Sequence, residues 1–131
     1  MLVKCPKFLG DILSILRDYH YPVIRVVPIV DITLDQARII YSNMVDSPFY
    51  NQALMSLLQK EQFFMILLDT QSISFDIESF KRDVQGPFGT KDNTTIRGHL
   101  YEAIGVIDGY VHVPDSFEKA NEDERVLMCL N

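Results

Sequence analysis

The sequence predicts an α+β fold, a four-stranded antiparallel sheet with helices packed on it. Three observations predict it. Short apolar or β-branched runs recur at 1–5, 23–32, 63–68 and 110–113, which is strand character. Between them lie segments whose apolar residues repeat at spacings of three and four, which is helical character. The resulting order is strand, helix, strand, two helices, strand, helix, loop, strand, helix, a split βαβ pattern doubled, as in ferredoxin-like folds. With 131 residues the chain suits one core, so 1–131 reads as a single domain.

Each element has a local reason. Met1 to Cys5 is a clipped first strand, because Pro6 restricts Cys5 to extended geometry. Leu9, Ile12, Leu13, Ile15 and Leu16 line one face of a helix ending near Tyr19. "VIRVVPIVDI" is nearly continuous and β-branched, a central strand in which Pro28 implies a bulge or an edge. Thr33 and Gln36 form a capping box for a helix through about Ser42. Ser47 before Pro48 then starts another helix carrying Phe49, Ala53 and Leu57. "FFMILL" reads as a buried strand. Ser74 caps a helix with Asp76 and Glu78 in its first turn and with Ile77, Phe80 and Val84 on one face. Residues 85–94 concentrate turn formers and read as a loop. "YVHV" is a short strand, and Asp115 with Glu118 caps a last helix through about Met128.

Composition narrows the function classes. The net charge of −6 argues against a nucleic-acid coat, which needs a basic face to displace counterions. It leaves room for a nucleotide pocket lined by a few converging cations. The longest apolar run, Phe63 to Leu68, is far below the roughly 20 residues of a membrane helix, so no membrane association is expected. The N-terminal stretch lacks the pattern of a secretory signal. Two widely spaced cysteines, Cys5 and Cys129, fit reduced thiols in an intracellular, cytoplasmic protein.

One histidine stands out by its surroundings. On a short strand, His112 by itself is more often a structural histidine than a nucleophile. "TIRGHL" followed by "HVPDSFEKA", however, resembles the nucleoside diphosphate kinases, whose pattern is Thr-Ile-Arg-Gly-Asp-Phe, then Asn-x-x-His-Gly-Ser-Asp-Ser, then a helix beginning Glu-x-Ala. Thr95, Ile96, Arg97 and Gly98 match the first part, and His112, Asp115, Ser116, Glu118 and Ala120 match the second in register.

The resemblance covers nearly the whole chain and implies a site. His112 would carry a phosphoryl group between a nucleoside triphosphate and a nucleoside diphosphate, with Mg2+ bridging the phosphates. Asp123 or Glu124 would be the acid beside the histidine. Lys4, Arg82 and Arg97 would hold phosphate oxygens, with Thr90 at the family's phosphate-contacting threonine. Phe49 in "SPFY" would stack on the base, with core packing as its alternative, and Tyr41 is open in the same way. Lys4 and the arginines could instead be solvated surface cations. A homo-oligomer or a place in a larger assembly is implied as well.

The chain also departs from the pattern. Gly109 stands at the family's asparagine, Val113 and Pro114 replace Gly-Ser, Lys81 replaces the first glycine of Gly-Arg-x-x-x-Gly, and His99 replaces the acid of Arg-Gly-Asp-Phe. These changes keep two readings beside the phosphotransferase. One is a weak or inactive nucleotide-binding or structural subunit of a ciliary, microtubule-associated or other assembly. The other is a generic ferredoxin-like binder of RNA or metabolites, with RNA disfavoured by the charge.

Overall fold

Side-chain alternation along four short strands decides how the chain is layered. The computed structural model describes residues 1–59, 62–105 and 110–128. Strands β1 (Leu2–Val3), β2 (Val23–Val30), β3 (Gln62–Leu68) and β4 (Val111–His112) form one antiparallel sheet in the order β2-β3-β1-β4. That is the ferredoxin-like arrangement, as the pattern predicts.

The helices divide between the two faces. Leu2, Val27, Ile29, Phe63 and Met65 pack with Ala37, Ile40 and Tyr41, with Leu54 and Leu57, and with Leu127. These come from α2 (Leu34–Ile40) and its cap, α3 (Tyr50–Leu58) and α6 (Phe117–Met128). On the other face Val3, Ile66, Val111 and Val113 meet Ile12 and Leu16 of α1 (Leu9–Asp18), Phe80 and Val84, and Ile96 and Leu100 of α5 (Ile96–Ile104). Neighbours in sequence such as Leu2 and Val3, or Met65 and Ile66, thus serve opposite cores. Phe80 and Val84 sit on a π-helical turn, Phe80–Gln85, that continues α4 (Ile77–Ser79). Among the described residues no helix is long and apolar enough to cross a membrane.

Local signals hold at several points and fail at others. The capping box at Thr33 and Gln36 forms as expected, with Gln36 N donating to Thr33 Oγ1 at 3.2 Å and Thr33 N to Gln36 Oε1 at 2.8 Å. Thr33→Ala should therefore cost about 1 kcal/mol in urea unfolding. β2 is an edge strand rather than a central one, because it pairs with β3 and ends the strand order. An edge also tolerates the missing amide of Pro28.

Three helix starts are displaced. Asp76, not Ser74, caps α4, its carboxylate accepting from Glu78 N at 3.1 Å. Ser116, not Asp115, caps α6, its hydroxyl accepting from Lys119 N at 3.0 Å. α3 begins at Tyr50, with the Ser47 hydroxyl instead bracing the preceding turn through Phe49 N at 3.1 Å. The sequence order lacks α5 altogether. Thr95 starts it, its hydroxyl accepting from Gly98 N at 3.0 Å, a Thr-cap signal hidden inside a glycine-bearing motif.

Candidate functional site

The same alternation that splits the core brings the site together. Leu2 pairs with His112 and Val3 with Val111, so His112 projects to the face of α2, α3 and α6. Lys4 shares the parity of Leu2 and lies on that face too. Its ammonium donates to the Tyr41 hydroxyl at 2.6 Å and to Ser56 Oγ of α3 at 2.9 Å. Lys4 Nζ lies 5.2 Å from the Tyr41 ring centroid, so the contact is a hydrogen bond at the ring's polar tip rather than a cation over its face. The Tyr41 ring in turn meets the His112 imidazole edge-on, with centroids 4.9 Å apart.

α6 supplies the acid. Asp123 Oδ2 lies 3.8 Å from His112 Nε2, and the Asp123 side chain is 5% exposed. Among the described residues, His112 Nε2 makes no direct hydrogen bond, and the two Asp123 oxygens are met by charged neighbours instead, Lys119 Nζ 3.1 Å from Oδ1 and His112 Nε2 3.8 Å from Oδ2. Glu124, the other acid named from the sequence, is half-buried and lines with Asp123 a cavity of about 150 Å3 behind α6. Burial pushes the His112 pKa below its ordinary 6.5; Asp123 pulls it up and Lys4 pushes it further down. The imidazole is therefore neutral near pH 7, with a lone pair to offer.

The remaining residues fall on two sides. Arg97 Nη1 donates to the Gly86 carbonyl at 3.1 Å, and the neighbouring Gln85 amide donates to the Val111 carbonyl at 3.3 Å. That chain ties Arg97 to the strand carrying His112. Gly86 has φ +88°, and a Cβ there would come within 2.7 Å of Thr95 Oγ1 and 2.9 Å of Thr90 Cγ2, so the turn requires glycine. Thr90 packs beside Gly86 in this way, and its hydroxyl accepts from Asp92 N at 3.2 Å.

Arg82 points elsewhere: it is exposed and bidentate to Asp83, at 2.9 and 3.0 Å. Phe49 is 57% exposed, which removes core packing as its reason for being aromatic. Tyr41, by contrast, is fully buried while its hydroxyl serves Lys4.

Two cations were not foreseen from the sequence. Lys81, at the family's glycine position, pairs with Asp115, whose carboxyl is held below its ordinary range first by Lys81 and also by Asn43 and His112. Lys119 is nearly buried beside Asp123. Lys119 could have been found by its spacing, four residues before Asp123 on α6, whereas Lys81 stands 34 residues from Asp115 and carries no local signal.

The departures from the motif can also be placed. Val113 belongs to the core on the opposite face from His112 and does not crowd the imidazole. Pro114 lines the cavity behind α6. His99 joins α5 to α1 through Asp11, at 3.0 Å. Cys5 is buried, while Gly109 and Cys129 lie outside the described residues.

No protein-family model and no curated protein sequence matches the chain. Among solved structures it is similar to the nucleoside diphosphate kinase of Aquifex aeolicus in an orthorhombic crystal form, at 18% identity. That match covers 95% of this chain and 89% of the other, with a TM-score of 0.70, and it establishes a shared fold.

Proposed function

We propose that this chain is a phosphotransferase of the nucleoside diphosphate kinase type, working through His112. One observation carries the reading: a neutral, half-buried imidazole has a buried carboxylate 3.8 Å from its Nε2 and a buried lysine–tyrosine pair on the same face of the sheet. Asp123 favours the tautomer with the proton on Nε2, which leaves the Nδ1 lone pair to attack.

In the first half-reaction Nδ1 forms a bond to the terminal phosphorus of a nucleoside triphosphate. The bond from that phosphorus to the bridging oxygen breaks, and the nucleoside diphosphate leaves with the electron pair. The phosphorylated ring is cationic while Nε2 keeps its proton, and Asp123 stabilises that charge. In the second half-reaction a terminal oxygen of another diphosphate attacks the phosphorus and the N–P bond returns its electrons to Nδ1.

Lys4 and Arg97 are proposed to spread the charge of the transferred group, Arg97 through its planar fork of donors. Arg82 would join them only by leaving Asp83, and Lys81 stands ready as a further cation beside Asp115. Thr90 would add a hydroxyl from the glycine turn. Phe49 offers an exposed ring to a base. Mg2+ enters as part of the substrate, bound to the phosphates. Among the described residues no group of three acidic, histidine or cysteine side chains could hold the ion without them.

Incubation with terminally labelled ATP and Mg2+ should give an acid-labile phosphoprotein that discharges to added nucleoside diphosphates. Absence of label at saturating nucleotide would overturn the phosphotransferase reading in favour of a fold kept for binding or assembly.

A further inference from the structure

We propose that Lys119 is a positioning residue that divides Asp123 with His112, taking one carboxylate oxygen and leaving the other to the imidazole, so that the ring is held in place without being charged. This deepens the phosphotransferase reading and rests on it for its purpose, though not for its measurement.

The geometry is specific. The Lys119 side chain is 9% exposed, and its ammonium lies 3.1 Å from Asp123 Oδ1 and 2.6 Å from Glu122 Oε1. It also donates to the Ile39 carbonyl at the end of α2, where helical carbonyls lack partners within the helix. Lys119 therefore pins α6 to α2, the two helices between which His112 sits. Asp123 presents its other oxygen, Oδ2, to His112 Nε2 at 3.8 Å.

The charge balance gives the consequence. A buried carboxylate facing an imidazole alone would favour imidazolium, which has no lone pair for attack. With an ammonium on its far oxygen, the same carboxylate still orients Nε2 but exerts less pull on a proton. Burial opposes the Lys119 charge, yet its contacts with the Glu122 and Asp123 carboxylates raise its proton affinity, so it stays cationic across the working range.

The other groups facing His112 are Lys4 and the Met1 amine from β1, Tyr41 from the end of α2, and Asp115 with its Lys81 partner from the turn after β4. None of these contacts involves Lys119, so its removal isolates the Asp123 effect.

The test is an NMR titration of the His112 ring nitrogens in the full chain. Lys119→Met should raise the midpoint by about one pH unit, a tenfold gain in proton affinity, whereas Lys119→Arg should stay close to wild type. In an Asp123→Asn background, Lys119→Met should move the midpoint little. An unshifted methionine variant would overturn the proposal. So would a full shift that persists without the Asp123 charge, because Lys119 would then act directly on the ring. Lys119→Gln replaces the methionine variant if that chain does not fold. The phosphotransferase reading fails separately, by absence of label in the wild type, whatever the titration gives.

Discussion

His112→Gln should yield a folded chain that takes no label from ATP, a loss of at least about a thousandfold in phosphoprotein formed. The amide nitrogen of glutamine is conjugated and offers no lone pair, so the attacking atom is removed while size and polarity are roughly kept. Binding should persist, because the hydrogen bonds of Lys4 to Tyr41 and Ser56 and of Arg97 to Gly86 do not involve the imidazole. A magnesium nucleoside diphosphate should therefore still raise the melting temperature of the variant. The readouts are acid-labile label and thermal shift, and label surviving in the variant would place the phosphate on another residue.

The same substitution should change the pH dependence of stability. Burial lowers the folded pKa of His112 below its ordinary 6.5, so the unfolded chain binds the proton more readily than the folded one. The stability tied to the neutral ring is present above about pH 6.5 and is lost as pH falls below it, toward the lower folded value. Urea unfolding should show wild type weakening below pH 6.5 more steeply than His112→Gln. Equal slopes would mean that His112 is not kept neutral by the fold.

Gly98→Ala should destabilise the chain by about 3 kcal/mol or more, the largest effect expected for a single methyl group here. A Cβ on Gly98 would fall 1.8 Å from the Asp92 carbonyl oxygen and 2.3 Å from its carbon, both backbone atoms. That carbonyl is fixed in place, because it accepts from Thr95 N at 3.0 Å and from Thr95 Oγ1 at 2.7 Å. To relieve the clash, the 92–95 turn and the first turn of α5 must separate, which also loses the Thr95 cap on Gly98 N. Arg97 would leave Gly86 with them, so nucleotide affinity should fall together with the urea midpoint. Gly10→Ala in α1 is the contrast: nothing lies within 4 Å of its Cβ position, and it should leave stability unchanged or raise it by about half a kcal/mol. A Gly98→Ala midpoint like that of wild type would show that the turn can shift freely.

The sites where the sequence read well and where it did not differ in kind. Thr33 with Gln36 was legible because a capping box closes within four residues and needs no tertiary partner. "FFMILL" was legible because a strand buried on both faces must be apolar throughout. Ser74 and Asp115 misled because either could cap a helix locally, and the choice went to Asp76 and Ser116. α5 was missed because glycine and histidine dilute its apolar spacing, while its start is secured by the packing of Gly98 on Asp92. β2 reads as central by composition, but strand order depends on pairings such as Val30 with Gln62 and Leu2 with His112, distant in the chain and without a local signature.

By itself the sequence determined the α+β class, the strands, the apolar faces carrying Ile12 with Leu16 and Phe80 with Val84, and the pattern of residues around His112 that carries the resemblance. These follow from spacings of two and three to four and from residues that act on their own backbone. Tertiary structure alone decided that Lys4 and His112 share a sheet face, that Asp123 rather than Glu124 meets the imidazole, that Arg82 turns to Asp83, and that Lys119 is nearly buried. Each of these depends on which face of an element is covered, and coverage depends on partners distant in the chain, whose burial fixes charge and hydrogen bonding together.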